Sequence, residues 1–135
     1  MPKKIIIHTD GGARGNPGPA GIGVVIRAPD KKIKKYSEYI GQATNNQAEY
    51  KALIFALKKA KALKPEKIQC YLDSELIVKQ LNGAYKIKNK DLKPLFDQII
   101  TLSANFSKIS FSHIPREKNK EADKLVNEAL DRAGK

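Results

Sequence analysis

The sequence predicts an α/β fold: a mixed five-stranded sheet, three antiparallel strands followed by two parallel ones, flanked by helices. Three observations predict it. Up to Ile40 the chain carries apolar and alternating runs at hairpin spacing. From about residue 45 the hydrophobic period becomes helical. Two short strand-like segments then return between helical stretches, near Lys67 and Ile109. Strands followed by alternating helices and strands build layers of helix on sheet.

Ile5 to Thr9 is a short apolar run ending at Asp10 and reads as a buried strand. GGARGNPGPAG follows, and its glycines and prolines require a turn. Gly21 to Arg27 reads as a second strand. After the PDKK turn, a third runs from Ile33 to Ile40. Asn45 or Asn46 caps a helix in which Tyr50, Leu53, Ile54, Leu57 and Ala60 recur at helical spacing, with Pro65 beyond its end. Lys67 to Leu72 is a fourth strand, and Asp73-Ser74 caps a short helix through Leu81. A further helix from about Leu92 to Ser103 places Leu92, Leu95, Phe96, Ile99 and Ile100 on one stripe. Ile109, Phe111 and His113 alternate with Ser110 and Ser112, a strand pattern. Lys120 to Ala133 forms a last helix with Leu125, Ala129 and Ala133 inward. The order is βββαβααβα.

A length of 135 residues suits one domain spanning the whole chain, large enough to bury a core. No apolar run approaches a membrane span, so no membrane partner is expected. The MPKKIII opening is too short for a secretory signal, and a cytoplasmic location is the default expectation. Cys70 is the only cysteine, which excludes an intrachain disulfide and a cysteine-rich zinc site. Within IQCYL it reads as a buried, inert thiol. Lys and Arg total 26 against 14 acidic residues, a formal net charge of +12. Such a field attracts polyanions, nucleic acid above all; a merely soluble, lysine-rich surface would have the same charge. Nothing in the chain signals an obligate protein partner.

The acids are more specific. Asp10 closes the first strand and Asp73 the fourth, while Glu49 and Asp123 fall in the first turns of two helices. If strands one and four are parallel neighbours, Asp10 and Asp73 lie side by side at the edge where open α/β sheets bind ligands. Helix N-termini bring the other two there and tolerate their charge. Phosphodiester cleavage needs an activated water and stabilised charge at phosphorus. Oxygen-ligated Mg²⁺ or Mn²⁺ suits this, two ions about 4 Å apart serving the attacking and leaving oxygens. A single Asp at a strand end is ordinarily a turn residue. Four converging acids are not explained that way.

HTDGGARGNPGPAG, TNNQAEYKAL, YLDSELIVKQL and NKEADKLV, in that order, resemble the four catalytic blocks of type 1 ribonuclease H. The resemblance covers Ile5 to about Ala129. It implies a ribonuclease H-like fold and endonucleolytic hydrolysis of the RNA strand of RNA–DNA hybrids, giving 5′-phosphate products. It also implies two Mg²⁺ ions per site with substrate, Mn²⁺ being a substitute. Asp10 and Asp73 would be the central ligands, completed by Glu49 and Asp123, with Glu49 also near the ribose 2′-hydroxyl. Gly11 and Gly12 would let backbone approach the RNA strand, unless they serve only a tight turn. Asn16, Asn45 and Asn46 match contacts to the hybrid minor groove; Thr44 and Asn89 match a pocket for a phosphate of the DNA strand. Double-stranded RNA is a further candidate substrate.

The departures from the family pattern are informative. Only residues 81–91 stand where many relatives carry a long basic protrusion, and the chain has no Trp. It is therefore similar to the shorter prokaryotic and archaeal-type branch. Leu81 replaces an aromatic of the DNA channel, and Lys86, Lys88, Lys90 and Lys93 either substitute electrostatically or belong to a solvated loop. His113, ten residues before Asp123, matches by counting a histidine that assists turnover. SFSHIPREKN nevertheless reads as a strand running into a Pro turn, which makes a packed, hydrogen-bonded histidine the expectation. His8 reads as structural. Transposases, resolvases and integrases share this fold and an acidic core; the NNQAEY and NKEAD blocks favour ribonuclease H. A binding module without turnover would gain from losing the acids that this chain keeps.

Overall fold

Strand β1 (Lys4–Ala13) is the middle of a five-stranded sheet, antiparallel to β2 (Gly18–Arg27) and parallel to β4 (Lys67–Leu72). β3 (Ile33–Ala43) pairs with β2 at one edge and β5 (Lys108–His113) pairs parallel with β4 at the other, giving the order β3-β2-β1-β4-β5. The structure is a computed structural model describing residues 3–135; Met1 and Pro2, the start of the MPKK run, lie outside the described residues. Helices α1 (Asn45–Lys61), α2 (Glu75–Leu81), α3 (Lys93–Ser103) and α4 (Lys120–Arg132) complete the expected order.

Alternation along β1 divides the molecule into layers. Ile5 and Ile7 pack with Val24, Ile26, Ile68, Cys70 and Leu72 against Tyr50, Leu53 and Leu57 of α1, with Ile77 and Ile99 closing the cluster. Each such side chain contributes about 1.5–3 kcal/mol by leaving water. The next residues show both faces at once. A Cβ on Gly11 would meet the backbone of Ala48 in α1, whereas one on Gly12 would meet Val126 of α4. Neighbouring strand residues point to opposite faces, so α1 and α4 sandwich the sheet. Cys70 is fully buried, and burial pushes its thiol pKa up, so the inert reading holds. Among the described residues no helix is long and apolar enough to cross a membrane.

Several boundaries differ from expectation for identifiable reasons. β1 continues three residues past Asp10, because Gly11 and Gly12 pair with Ile22 and Gly21 instead of turning. The turn is confined to residues 14–17, and β2 begins at Gly18. β3 extends to Ala43 past Gly41, whose φ of 80° is left-handed. The cap of α1 is Thr44, not Asn45 or Asn46. Its hydroxyl accepts from Gln47 N at 3.1 Å, and Gln47 Oε1 accepts from Thr44 N at 2.9 Å, a capping box. On α3 the buried residue is Ile99, while Ile100 is 48% exposed. On α4 the inward stripe is Ala122, Val126, Ala129 and Leu130 rather than Leu125 and Ala133.

That rotation of α4 follows from glycines in β2. A Cβ on Gly23 would lie 2.1 Å from the carbonyl oxygen of Ala122, so only a bare backbone lets the helix sit this close. Gly23→Ala is expected to destabilise the fold by about 2 kcal/mol through forced displacement of α4. In a thermal melt this reads as a fall of roughly 8 °C. An unchanged midpoint would mean that α4 is not seated on β2 as described.

Candidate active site

Three acids meet where β1 and β4 part. The last paired residues of that ladder are His8 and Tyr71, so Asp10 and Asp73 stand just beyond it. Asp73 precedes Ser74, whose hydroxyl caps α2 by accepting from Ile77 N at 3.3 Å. Glu49 enters from α1, one residue past the first turn rather than within it. The absent side chain of Gly11 is what admits it: a Cβ there would stand 2.3 Å from Ala48 carbonyl atoms. The Gly11 amide then donates to Asp10 Oδ1 at 3.0 Å and to Glu49 Oε1 at 3.3 Å, joining the two carboxylates. Asp10, Glu49 and Asp73 each present an oxygen within 4.8 Å of the others. Asp123, in the first turn of α4, lines the same cleft of about 500 Å³ but is partly exposed and outside that tight group.

Crowding and burial distort the titration of this cluster. Burial pushes the Asp10 carboxyl up to about 7; the hydrogen bond with Glu49 opposes this, and the charges of Asp73 and Asp123 add to it. Glu49 is raised well above the usual carboxylate range, first by burial and then by Asp10. The pair therefore retains a proton near neutrality. Glu49 Oε2 is buried without a hydrogen-bond partner among the described residues. An all-oxygen donor set with an orphaned carboxylate oxygen fits a hard divalent cation.

Residues around the acids are arranged by hydrogen bonds that sequence patterns do not reveal. Asn16 Oδ1 accepts from Asn45 N at 3.0 Å, and Asn45 Oδ1 accepts from Ala13 N at 2.8 Å, which locks the 14–17 turn onto the start of α1. Both asparagines thus spend their carbonyls internally. Asn45 and Asn46 line the cleft, as do Gly11 and Gly12. Arg14 and Arg116 line it too, and no sequence pattern singles out either. Arg14 pairs with Asp131 at 2.8 Å, and Arg116, on the turn before α4, lies 3.7 Å from Asp123. Asn119 is a third omission. It ends the same turn, is 1% exposed, and donates to Asp73 Oδ2 at 3.1 Å and Thr9 O at 2.9 Å. An Asn before a helix reads as a cap, which concealed this; its side chain does not cap α4.

Other expected residues lie elsewhere. Thr44 and Asn89 do not line the carboxylate cleft. Thr44 caps α1, and Asn89 Oδ1 accepts from Asp91 N at 2.8 Å in the exposed 82–92 connection. Lys86, Lys88 and Lys90 are exposed on that connection, and Lys86 borders a separate groove with Tyr85 and Phe96. Lys93 is engaged by Asp97 at 2.7 Å. Leu81 is buried in the core. The expectation of a packed His113 is overturned: it is exposed at the last position of edge strand β5, opposite Leu72, with no side-chain hydrogen bond among the described residues. The sheet's cover ends there, so strand parity no longer implies burial. His8 is structural as expected. It stacks on Tyr71 with ring centroids 5.1 Å apart, and burial followed by the charge of Arg27 lowers its pKa.

Comparison with known proteins agrees with this geometry. The family model described as reverse transcriptase-like matches residues 8–129. The chain is 43% identical over 131 residues to a ribonuclease HI of Halobacterium salinarum, covering 96% of the chain and 66% of that protein. It is 33% identical to a ribonuclease H of Clostridium botulinum, covering 96% of the chain and 97% of that protein. That alignment runs over 150 residues, longer than the chain itself, so the clostridial protein has residues this one lacks. The chain spans about a third (36%) of the mycobacterial curated relatives that it also matches. Among solved structures, LC11-RNase H1 in complex with an RNA/DNA hybrid superposes with a TM-score of 0.91 at 49% identity, covering 97% of this chain and 99% of that one.

Proposed function

This chain belongs to the type 1 ribonuclease H family, in its short branch, and from that premise we propose that residues 1–135 form a catalytic domain cutting the RNA strand of RNA–DNA hybrids with Mg²⁺. The observation that carries the reading is the trio of buried Asp10 and Glu49 with half-buried Asp73, each offering an oxygen within 4.8 Å of the others, beside a buried Glu49 Oε2 that has no hydrogen-bond partner among the described residues. The relative solved with a hybrid bound supports the substrate. A cytoplasmic setting is proposed with it.

Placement supports a role for each residue. Asp10 and Asp73 would hold the metal, with Glu49 and Asp123 completing the set. Bound divalent ions supply an activated water and neutralise charge on the phosphate and leaving oxygen. Because burial and crowding raise both carboxyls, Asp10 and Glu49 would have to be deprotonated to hold a cation, so metal affinity should rise with pH. Gly12 keeps a side chain out of the cleft. The amide nitrogens of Asn16, Asn45 and Asn46 remain free to donate to acceptors in the hybrid's minor groove. Arg14 and Arg116 offer cations to phosphates beside the acids. Thr44 and Asn89, with Lys86 and Lys88, are assigned to the more distant DNA-strand phosphates; His113, exposed rather than packed, is assigned the turnover-assisting role that its spacing to Asp123 suggested.

The test is incubation of labelled RNA–DNA, RNA–RNA and DNA–DNA duplexes in Mg²⁺, Mn²⁺ or EDTA. The RNA of the hybrid should be cut to 5′-phosphate products with metal and not in EDTA, and DNA–DNA should remain intact. The RNA–RNA arm decides whether double-stranded RNA is also a substrate. An intact hybrid in both metals would overturn the proposal.

Replacing Lys86, Lys88 and Lys90 with Ala is expected to raise KM several-fold with little change in kcat. Each lost phosphate contact should reduce the log–log salt slope by roughly 0.7 to 0.9. A KM unchanged across a salt series would return these lysines to the solvated-loop reading.

A further inference from the structure

Asn119 is tied to three of the four acid-bearing segments. Its amide nitrogen donates to Thr9 O, the carbonyl preceding Asp10, at 2.9 Å, and to Asp73 Oδ2 at 3.1 Å. Its own backbone carbonyl accepts from Asp123 N at 3.1 Å. It sits where the sheet stops helping. The β1–β4 ladder ends at His8 and Tyr71, so no strand pairing fixes Asp10 relative to Asp73. A buried backbone carbonyl needs a donor, and at Thr9 the donor is this side chain.

We propose that Asn119 is a positioning residue that staples β1 to the end of β4 and fixes Asp73 for metal binding. The inference rests on the metal-dependent reading above. Holding Asp73 by one carboxylate oxygen leaves its other free for the cluster and limits rotation about the side chain. The shared anchor on Thr9 means that Asp10 and Asp73 are referred to the same amide group rather than to separate loops. The anchor is itself held: Asn119 is 1% exposed, and its backbone N–H donates to Arg116 O at 2.9 Å. Groups that orient metal ligands in this manner typically contribute 10–100-fold in affinity.

The experiment is calorimetric titration of the metal-free full chain with Mn²⁺, without nucleic acid, for wild type, Asn119→Ala, Asn119→Ser and Asp10→Asn. Hybrid affinity in EDTA is measured in parallel. Wild type should bind Mn²⁺ in a manner that Asp10→Asn removes. Asn119→Ala should weaken it about tenfold or more while hybrid affinity stays within about twofold. Asn119→Ser keeps a short polar group but cannot span both acceptors, so it should follow the Ala variant; it carries the comparison if the Ala variant does not fold. Wild type without Asp10-dependent Mn²⁺ binding would sink the parent reading. Normal wild-type binding with unweakened variants would sink the positioning role alone. Parallel losses of metal and hybrid affinity would mean general loosening, and would also overturn it.

Discussion

Asp10→Asn is expected to lower the rate of hybrid cleavage in Mg²⁺ by at least about a thousandfold, roughly 4 kcal/mol of transition-state stabilisation. The substitution keeps the shape of the side chain, and its amide oxygen can still accept from Gly11. What it removes is a negative oxygen from a trio confined within 4.8 Å. No contact to a phosphate is lost, so hybrid affinity in EDTA should be unchanged or slightly improved, because one acid no longer faces a polyanion. Single-turnover cleavage and a binding isotherm measured on the same preparation separate these effects. Retention of more than a few per cent of wild-type activity would remove Asp10 from the proposed metal site.

The same substitution should raise the melting temperature of the metal-free protein. Asp10 titrates at about 7 in the folded chain because burial and neighbouring acids disfavour its charge, against an ordinary value of 3.8. A folded pKa above the unfolded one means that the native state binds more protons through that interval, so stability falls as pH rises from about 4 to about 7. Glu49 is shifted in the same direction and extends the loss. Below this window the penalty is absent; above it the Asp10 share is complete, on the order of 4 kcal/mol before relaxation. In EDTA at pH 8 the Asn variant should therefore melt several degrees above wild type, and the difference should shrink as pH falls toward 4. Millimolar Mg²⁺ should narrow it from the other side by stabilising wild type. An Asn variant clearly less stable than wild type in EDTA at pH 8 would identify Asp10 as a structural hydrogen-bonding residue.

Much of this was legible in the chain because it depends on period and order. Apolar alternation gave β4 its bounds, Lys67–Leu72, and the four acids fell at strand and helix ends that topology brings together. What escaped depends on close approach. Gly11 read as part of a turn because glycine marks both turns and places where a helix presses on a strand; only the position of α1 distinguishes the two. Val126 was passed over for Leu125 because both are apolar, and the phase of α4 is set by glycines in β2, about a hundred residues earlier. Asn119 and the Asn16–Asn45 lock escaped because a side-chain hydrogen bond across the fold leaves no periodic trace. His113 was misjudged because parity predicts which face a residue shares, not whether anything covers that face.

The 82–92 connection bears none of the four acids and none of the residues that hold them. It leaves α2 after Leu81, which is anchored in the core, and rejoins at Leu92, which is anchored as well. If the lysines of the connection hold the duplex as proposed, chemistry and grip are separable modules in this architecture. The length and charge of the connection can change between its two fixed posts without retuning the carboxylates, so lineages of this fold are free to diversify in how far they reach along a duplex while keeping one reaction centre.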